Sequence, residues 1–361
     1  MDVKANDNGS ERKSLMWNAR IVALGITGSV LGILMAGTAA LGGAQGGSTP
    51  SVGTESGERT IEDGGTGPYK AIAVSNTSIS THTIYRPKDL SAFGNKEKLP
   101  IMAWGNGGCA NSSTGHQNYL SEIASHGYLV VAIGPMQAVG ARGGPGAGAP
   151  GTGGPAAGGG STQLLDAINW AIAQNANSQS LYYGKIDTSK VGVFGHSCGG
   201  LQALEVSPDP RIKTTMVVDS GILNSPAAAP GAAAPGGAAR GGAGGGAGGG
   251  ALPGMPPLTK EYLAKLHSPV FYLLGGETDI AYANGMDDFK RIEKLPVFVA
   301  NKGVGHGGTF TQPHGGDWAM ASVAWLQWQL KGDAESGKLF TGNPPGLARK
   351  DGWTVDKKNI P

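Results

Sequence analysis

Short runs of aliphatic and β-branched residues alternate along this chain with longer segments whose apolar positions recur every three to four residues. The runs at 71–75 and 81–86 read as two strands joined by a turn. Those at 99–104 and 129–133 read as buried strands, and 191–194, 216–218, 270–274 and 297–300 as further short ones. Between them, 119–126 reads as a helix ended by Gly127. Residues 162–175 carry Leu164, Leu165, Ile168, Ala171 and Ile172 at helical spacing, and 319–330 form an amphipathic helix containing Trp325 and Trp328. Strands alternating with helices predict an α/β fold: a mostly parallel sheet with helices on both faces, in a single domain spanning 69–361.

Three departures from that pattern set the boundaries. Lys4, Arg12, Lys13 and Arg20 precede an apolar run from Ile21 to Met35, broken only by Thr27 and Ser29, and small residues follow. Residues 1–44 therefore read as a secretory signal peptide, with an uncleaved membrane anchor as the rival, because 21–41 is long enough to span a bilayer. The protein is expected to be secreted or periplasmic, or else anchored and facing outside. Residues 45–68 are polar, rich in Gly, Ser, Thr and Glu, and read as a flexible linker. Two tracts made almost wholly of Gly, Ala and Pro, at 138–160 and 225–257, are too poor in apolar side chains to offset chain entropy and are expected to be disordered. Each follows a strand, so each leaves the carboxyl edge of the sheet, either as a pliant rim for a bulky substrate or simply as an expanded loop.

Charge narrows the partners. The 361 residues carry 28 basic and 26 acidic side chains, a balance with no electrostatic case for nucleic acid. A monomer is expected. No His-x-x-x-His zinc pattern and no phosphate-binding loop is present, so no metal or organic cofactor is expected.

The chemistry centres on Gly195-His196-Ser197-Cys198-Gly199, which follows the strand 191–194 and precedes the helix-compatible stretch 201–205. Strand, Gly-x-Ser-x-Gly, helix is the setting of a nucleophile elbow, which lifts a serine hydroxyl on a sharp turn. A serine needs a base. His306, in Gly305-His306-Gly307 after the last predicted strand, fits the order serine, acid, histidine, and His314 is the runner-up. His196, inside the elbow, is expected to pack there. The acid that orients the imidazole is expected at Asp279, directly after strand 270–274, with Glu277 and Asp219 as alternatives. The oxyanion needs two backbone donors: the amide of Cys198, which follows the serine, and one from the loop Gly105-Asn106-Gly107-Gly108-Cys109.

These motifs, with Gly108 through Gly127-Tyr128-Leu129-Val130-Val131, resemble the bacterial cutinase-like lipases and polyester hydrolases of the α/β-hydrolase superfamily. The elbow also resembles that of the dienelactone hydrolases, which carry a cysteine nucleophile at its centre where this chain has Ser197, with Cys198 one place on. The resemblance covers about residues 69–330 and implies the α/β-hydrolase fold. It implies Ser197 as nucleophile, Asp279 as acid, His306 as base, and the Cys109 and Cys198 amides as the oxyanion hole. Where the family usually has an aromatic residue and a methionine, this chain has Cys109 and Cys198. Trp104 and Tyr282 are then the candidates for aromatic contact with substrate. Cys109 and Cys198 are the only cysteines. Placed on the two implied oxyanion residues, they are expected to form a disulfide that stiffens the hole, or to remain two packed thiols.

The expected activity is that of an exported serine carboxylester hydrolase working through an acyl-enzyme, on a small ester or an acylated polymer. The alternatives are an amidase on the same residues, or a non-catalytic surface-binding protein that keeps the fold.

Overall fold

The computed structural model describes residues 51–137, 160–224 and 254–361. The expected signal peptide or anchor, 1–44, and most of the two Gly/Ala/Pro tracts lie outside the described residues. Among those described, no helix is long and apolar enough to cross a membrane.

Ten strands make one sheet. In chain order they are β1 (Glu55–Arg59), β2 (Ala71–Asn76), β3 (His82–Pro87), β4 (Leu99–Gly105), β5 (Leu129–Ile133), β6 (Ile186–His196), β7 (Ile212–Val218), β8 (Val270–Leu274), β9 (Val297–Lys302) and β10 (Trp353–Lys358). Their spatial order is β1-β2-β3-β5-β4-β6-β7-β8-β9-β10. The six central strands, β5 to β9 in that order, run parallel. The flanking pairs are antiparallel. The protein is thus α/β, with a mostly parallel sheet, as the alternating pattern predicts.

Each central strand buries both faces, which is why it reads as a continuous apolar run rather than an alternation. Within β4, Met102 and Trp104 point into one core layer and Ile101 and Ala103 into the other. The first layer packs under α1 (Gln117–Ser125) and α5 (Gly316–Lys331). The second packs under α2 (Thr162–Ala176), α3 (Cys198–Val206) and α4 (Tyr282–Arg291).

Two edges differ from expectation. Residues 55–59 lie in the expected linker yet form β1, antiparallel to β2. No apolar periodicity marks this strand because polar side chains hold it. Arg86 Nη2 donates to Glu55 Oε2 at 2.6 Å with both side chains nearly buried, and the Tyr182 hydroxyl donates to Glu55 as well. At the other edge, the stretch after Leu330 folds back as α6 (Ala334–Gly337) and then β10, which pairs with β9 from Trp353↔Lys302 to Lys358↔Val297. Phe340 and Trp353, unassigned from sequence, complete the aromatic layer against Trp325, Trp328 and Trp318.

β5 and β6 lie on opposite sides of β4, so the strand order reverses there. The carboxyl ends of β4 and β6 therefore lie at a topological switch point, the place where open α/β sheets bind ligands.

Candidate active site

β6 ends at His196 and α3 begins at Cys198, so a single residue, Ser197, makes the turn. Its backbone sits at φ 53°, ψ −117°, a region L-residues rarely occupy. The turn is held from three sides. The Ser197 amide donates to Val218 O at 2.9 Å, the Ser220 hydroxyl donates to Ser197 O at 2.6 Å, and the Gly199 amide donates to Asn106 O at 3.0 Å. Two glycines make the crossing of β4 and α3 possible. A Cβ on Gly195 would lie 2.2 Å from Gly199 O, and one on Gly199 would lie 2.1 Å from the carbonyl carbon of Gly105.

Ser197, His306 and Asp279, on three separate loops, converge. His306 Nε2 is 2.9 Å from Ser197 Oγ, and His306 Nδ1 is 2.6 Å from Asp279 Oδ1. A carboxylate only accepts, so Nδ1 carries the proton and Nε2 accepts from the serine hydroxyl. Asp279 is fully enclosed, and it also accepts from the Ala281 amide at 2.8 Å and the Gly275 amide at 3.2 Å. Burial works against its ionisation, but the hydrogen bond from His306, these amides and the His306 charge hold its carboxyl below the usual range. The His306 side chain is 27% exposed, so one edge of the ring is open to a reacting molecule.

The alternatives fall elsewhere. Glu277 is exposed. His314 faces carboxylates instead of the serine: its Nδ1 lies 3.4 Å from Glu62 and 3.7 Å from both Asp63 and Glu122. Asp219 lies against the site, as described below.

Cys109 and Cys198 are joined by a disulfide with a Cα–Cα separation of 5.2 Å. Neither is a free thiol. Cys198 is the first residue of α3, so no preceding turn can take up its amide. Gly108 (φ 63°) and Cys109 (φ 51°) curl the loop after β4 in left-handed conformations. Asn106 pins that loop. It is buried, accepts from Trp104 Nε1 at 2.8 Å, and donates from Nδ2 to Ala110 O at 2.9 Å and Ile133 O at 2.7 Å.

Trp104 is therefore not a substrate contact. It is completely buried, with its ring among His116, Tyr119 and Phe194 and its N–H on Asn106. Its side chain enters the core layer under α1 and presents no surface at the carboxyl ends of the strands. Tyr282 opens α4 and is half-buried against the α3–α4 layer. The exposed apolar side chain beside the acid is Ile280, at 79% exposure.

A pair of histidines lies beneath the chain of Ser197, His306 and Asp279. His196 Nε2 donates to His306 O at 2.8 Å, so its Nδ1 is left to accept from His116 Nε2 at 3.2 Å. Burial pushes His196 down to about 4 and His116 well below its usual value, so both rings are neutral at ordinary pH. His196 thus packs inside the turn, as expected, and also positions the backbone of His306. Nothing in the sequence marked His116 or Asn106, because their partners come from distant segments.

Among the described residues no group of three or more His, Cys, Asp or Glu side chains is arranged to hold a metal ion. The assembled groups can move a proton from Ser197 Oγ to His306 Nε2 and stabilise the resulting imidazolium through Asp279. No protein-family model matches the chain, and no curated protein matches its sequence.

Proposed function

We propose that this protein is a serine carboxylester hydrolase with an α/β-hydrolase fold, acting through an acyl-enzyme. The observation that carries the reading is the continuous hydrogen-bonded chain Ser197 Oγ, His306 Nε2, His306 Nδ1, Asp279 Oδ1 at 2.9 and 2.6 Å, on a serine that turns directly from strand to helix. In the first step Ser197 Oγ attacks the ester carbonyl while Nε2 takes its proton. The carbonyl oxygen becomes an oxyanion facing the Cys109 and Cys198 amides. Collapse of the tetrahedral intermediate breaks the bond to the alcohol, which leaves with the proton from Nε2. Water then repeats the sequence on the acyl-serine and releases the acid. Asp279 keeps the Nδ1–H tautomer and offsets the imidazolium charge. The chain's own groups complete this cycle with no cofactor. The substrate is a small ester or an acylated polymer, and the protein acts as a monomer. Export is proposed on the basic and apolar N-terminal segment, giving a secreted or periplasmic enzyme, or an anchored one facing outside.

The test is hydrolysis of an aryl-ester series of rising acyl length, with a fluorophosphonate probe that labels an activated serine. Ser197→Ala is expected to lose labelling and at least ~10³-fold in kcat while keeping its circular dichroism. Near-normal turnover by that variant refutes the assignment. Cleavage of amides at rates matching the esters would replace it with the amidase reading.

A further inference from the structure

Asp219, the residue after β7, is not needed by the mechanism above, yet it is built into the floor of the site. It is fully buried and sits at φ 43°, with its amide donating to Leu273 O at 2.7 Å. Its Oδ2 accepts from Trp318 Nε1 at 3.1 Å and lies 3.9 Å from His196 Nε2. Its Oδ1 is sealed from solvent without a hydrogen-bond partner. Asp279 is its neighbour: the Asp219 amide is held on Leu273 at the end of β8, and the Asp279 carboxyl accepts from the Gly275 amide two residues further on, so the two carboxyls sit beside each other.

Two ionised carboxylates enclosed together, one with an oxygen that accepts nothing, would be a costly arrangement. One proton on Asp219 Oδ1 removes both problems. It cancels the charge and turns the orphaned atom into a donor, and the adjacent acceptor is the Asp279 carboxylate. We propose that Asp219 is a protonated positioning residue whose Oδ1–H donates to Asp279 and fixes the carboxylate that holds His306. The inference rests on the hydrolase reading.

The surroundings agree. The groups facing Asp219 are Asp279 and the Gly275 amide from the loop after β8, His196 from the end of β6, Trp318 from α5, and the Tyr119 phenol from α1. None brings a positive charge at ordinary pH, since burial keeps His196 neutral. Burial and the Asp279 charge push the Asp219 carboxyl well above the usual carboxylate range, whereas Asp279 is held below it. The pair therefore divides its protons unequally: Asp279 is ionised and paired to His306, and Asp219 is neutral and braces it.

The experiment compares the wild-type protein, Asp219→Asn and Asp219→Ala, with p-nitrophenyl butyrate as the probe substrate, across the acid limb of kcat/KM. Asparagine has the charge and the donor of a protonated aspartate. Asp219→Asn is expected to keep the acid limb in place and lose kcat only a few-fold. Asp219→Ala, which leaves Asp279 without that donor, is expected to lose kcat by ~10-fold or more with little change in KM. An acid limb displaced in Asp219→Asn would show that a negative charge had been removed, and would overturn the proposal. So would a kcat loss in Asp219→Asn as large as in Asp219→Ala. Infrared spectroscopy gives a reading independent of turnover and of whether Asp219→Ala folds. The carbonyl stretch of a buried protonated carboxylic acid is expected in the wild type and absent from Asp219→Asn; identical spectra overturn the proposal. An active enzyme lacking that band refutes only the role of Asp219. A wild type that neither hydrolyses esters nor takes up a fluorophosphonate refutes the hydrolase reading, and with it any catalytic role for Asp219.

Discussion

Ser197, Asp219 and Cys109 have left-handed φ angles of 53°, 43° and 51°, and all three gather at the carboxyl end of the parallel strands. Each such conformation costs ~1–3 kcal/mol in a non-glycine residue and persists only where its surroundings enforce it. Here the enforcement is visible as backbone bonds to Val218 and Leu273 and a disulfide. Asp219 adds a cost that depends on pH. In the unfolded chain it ionises near ~3.9, while in the folded protein burial and the Asp279 charge push its carboxyl well above that range. Above pH ~4 the folded state therefore binds the extra proton, and stability from this group falls by ~1.4 kcal/mol per pH unit until the folded group ionises. Asp219→Asn is uncharged in both states, so its stability relative to wild type should rise between pH 5 and pH 7 in urea unfolding. A difference independent of pH would contradict this. Gly199 has no such latitude. A methyl group there meets backbone rather than a flexible side chain, so Gly199→Ala is expected to lose at least ~1–3 kcal/mol in the same assay and to displace the Cys198 amide.

The proposed oxyanion site draws on two elements, the loop after β4 and the first turn of α3, and the Cys109–Cys198 disulfide ties one to the other across 89 residues. Closing a loop of that length contributes ~4.6 kcal/mol on the chain-entropy account. Replacing both cysteines by alanine is expected to lower stability by ~2–5 kcal/mol and to reduce kcat through a loosened hole. The kcat loss should stay within the ~10²–10³-fold that follows removal of a donor outright. Ester kinetics and thermal unfolding on the same preparation separate the two effects; an unaltered kcat would mean that Asn106 alone holds the loop. The edge elements are held differently. β1 depends on the buried Arg86–Glu55 pair, and β10 on the aromatic layer in which Phe340 stacks against Trp328 and packs edge-on to Trp325. Phe340→Ala removes a fully buried ring, and its expected cost is ~3–5 kcal/mol in denaturant unfolding.

Across the whole molecule, the reversal of strand order at β4 and β6 brings the loop of Cys109 and the turn of Ser197 together, and the parallel run of β7, β8 and β9 adds Asp219, Asp279 and His306 from the same edge. Much of this was legible beforehand. Buried parallel strands announce themselves as unbroken apolar runs, so β4, β5, β8 and β9 could be placed to within a residue or two. The Gly-x-Ser-x-Gly turn carries its requirements in its own residue types. β1 and β10 were not legible, because an edge strand needs no apolar face of its own when a buried ion pair or a distant aromatic cluster holds it. Trp104 was misplaced for a related reason: sequence locates a residue on a strand, but the direction of its side chain depends on what packs against each face. The chain by itself determined the alternation of strands and helices, the strained serine turn and the order in which serine, acid and histidine occur, since these follow from local residue types and spacing. Only the tertiary structure decided which aspartate meets His306, that His116 and His196 brace it from below, and that the two cysteines close on each other. Those outcomes depend on distances between segments far apart in sequence, which no local pattern encodes.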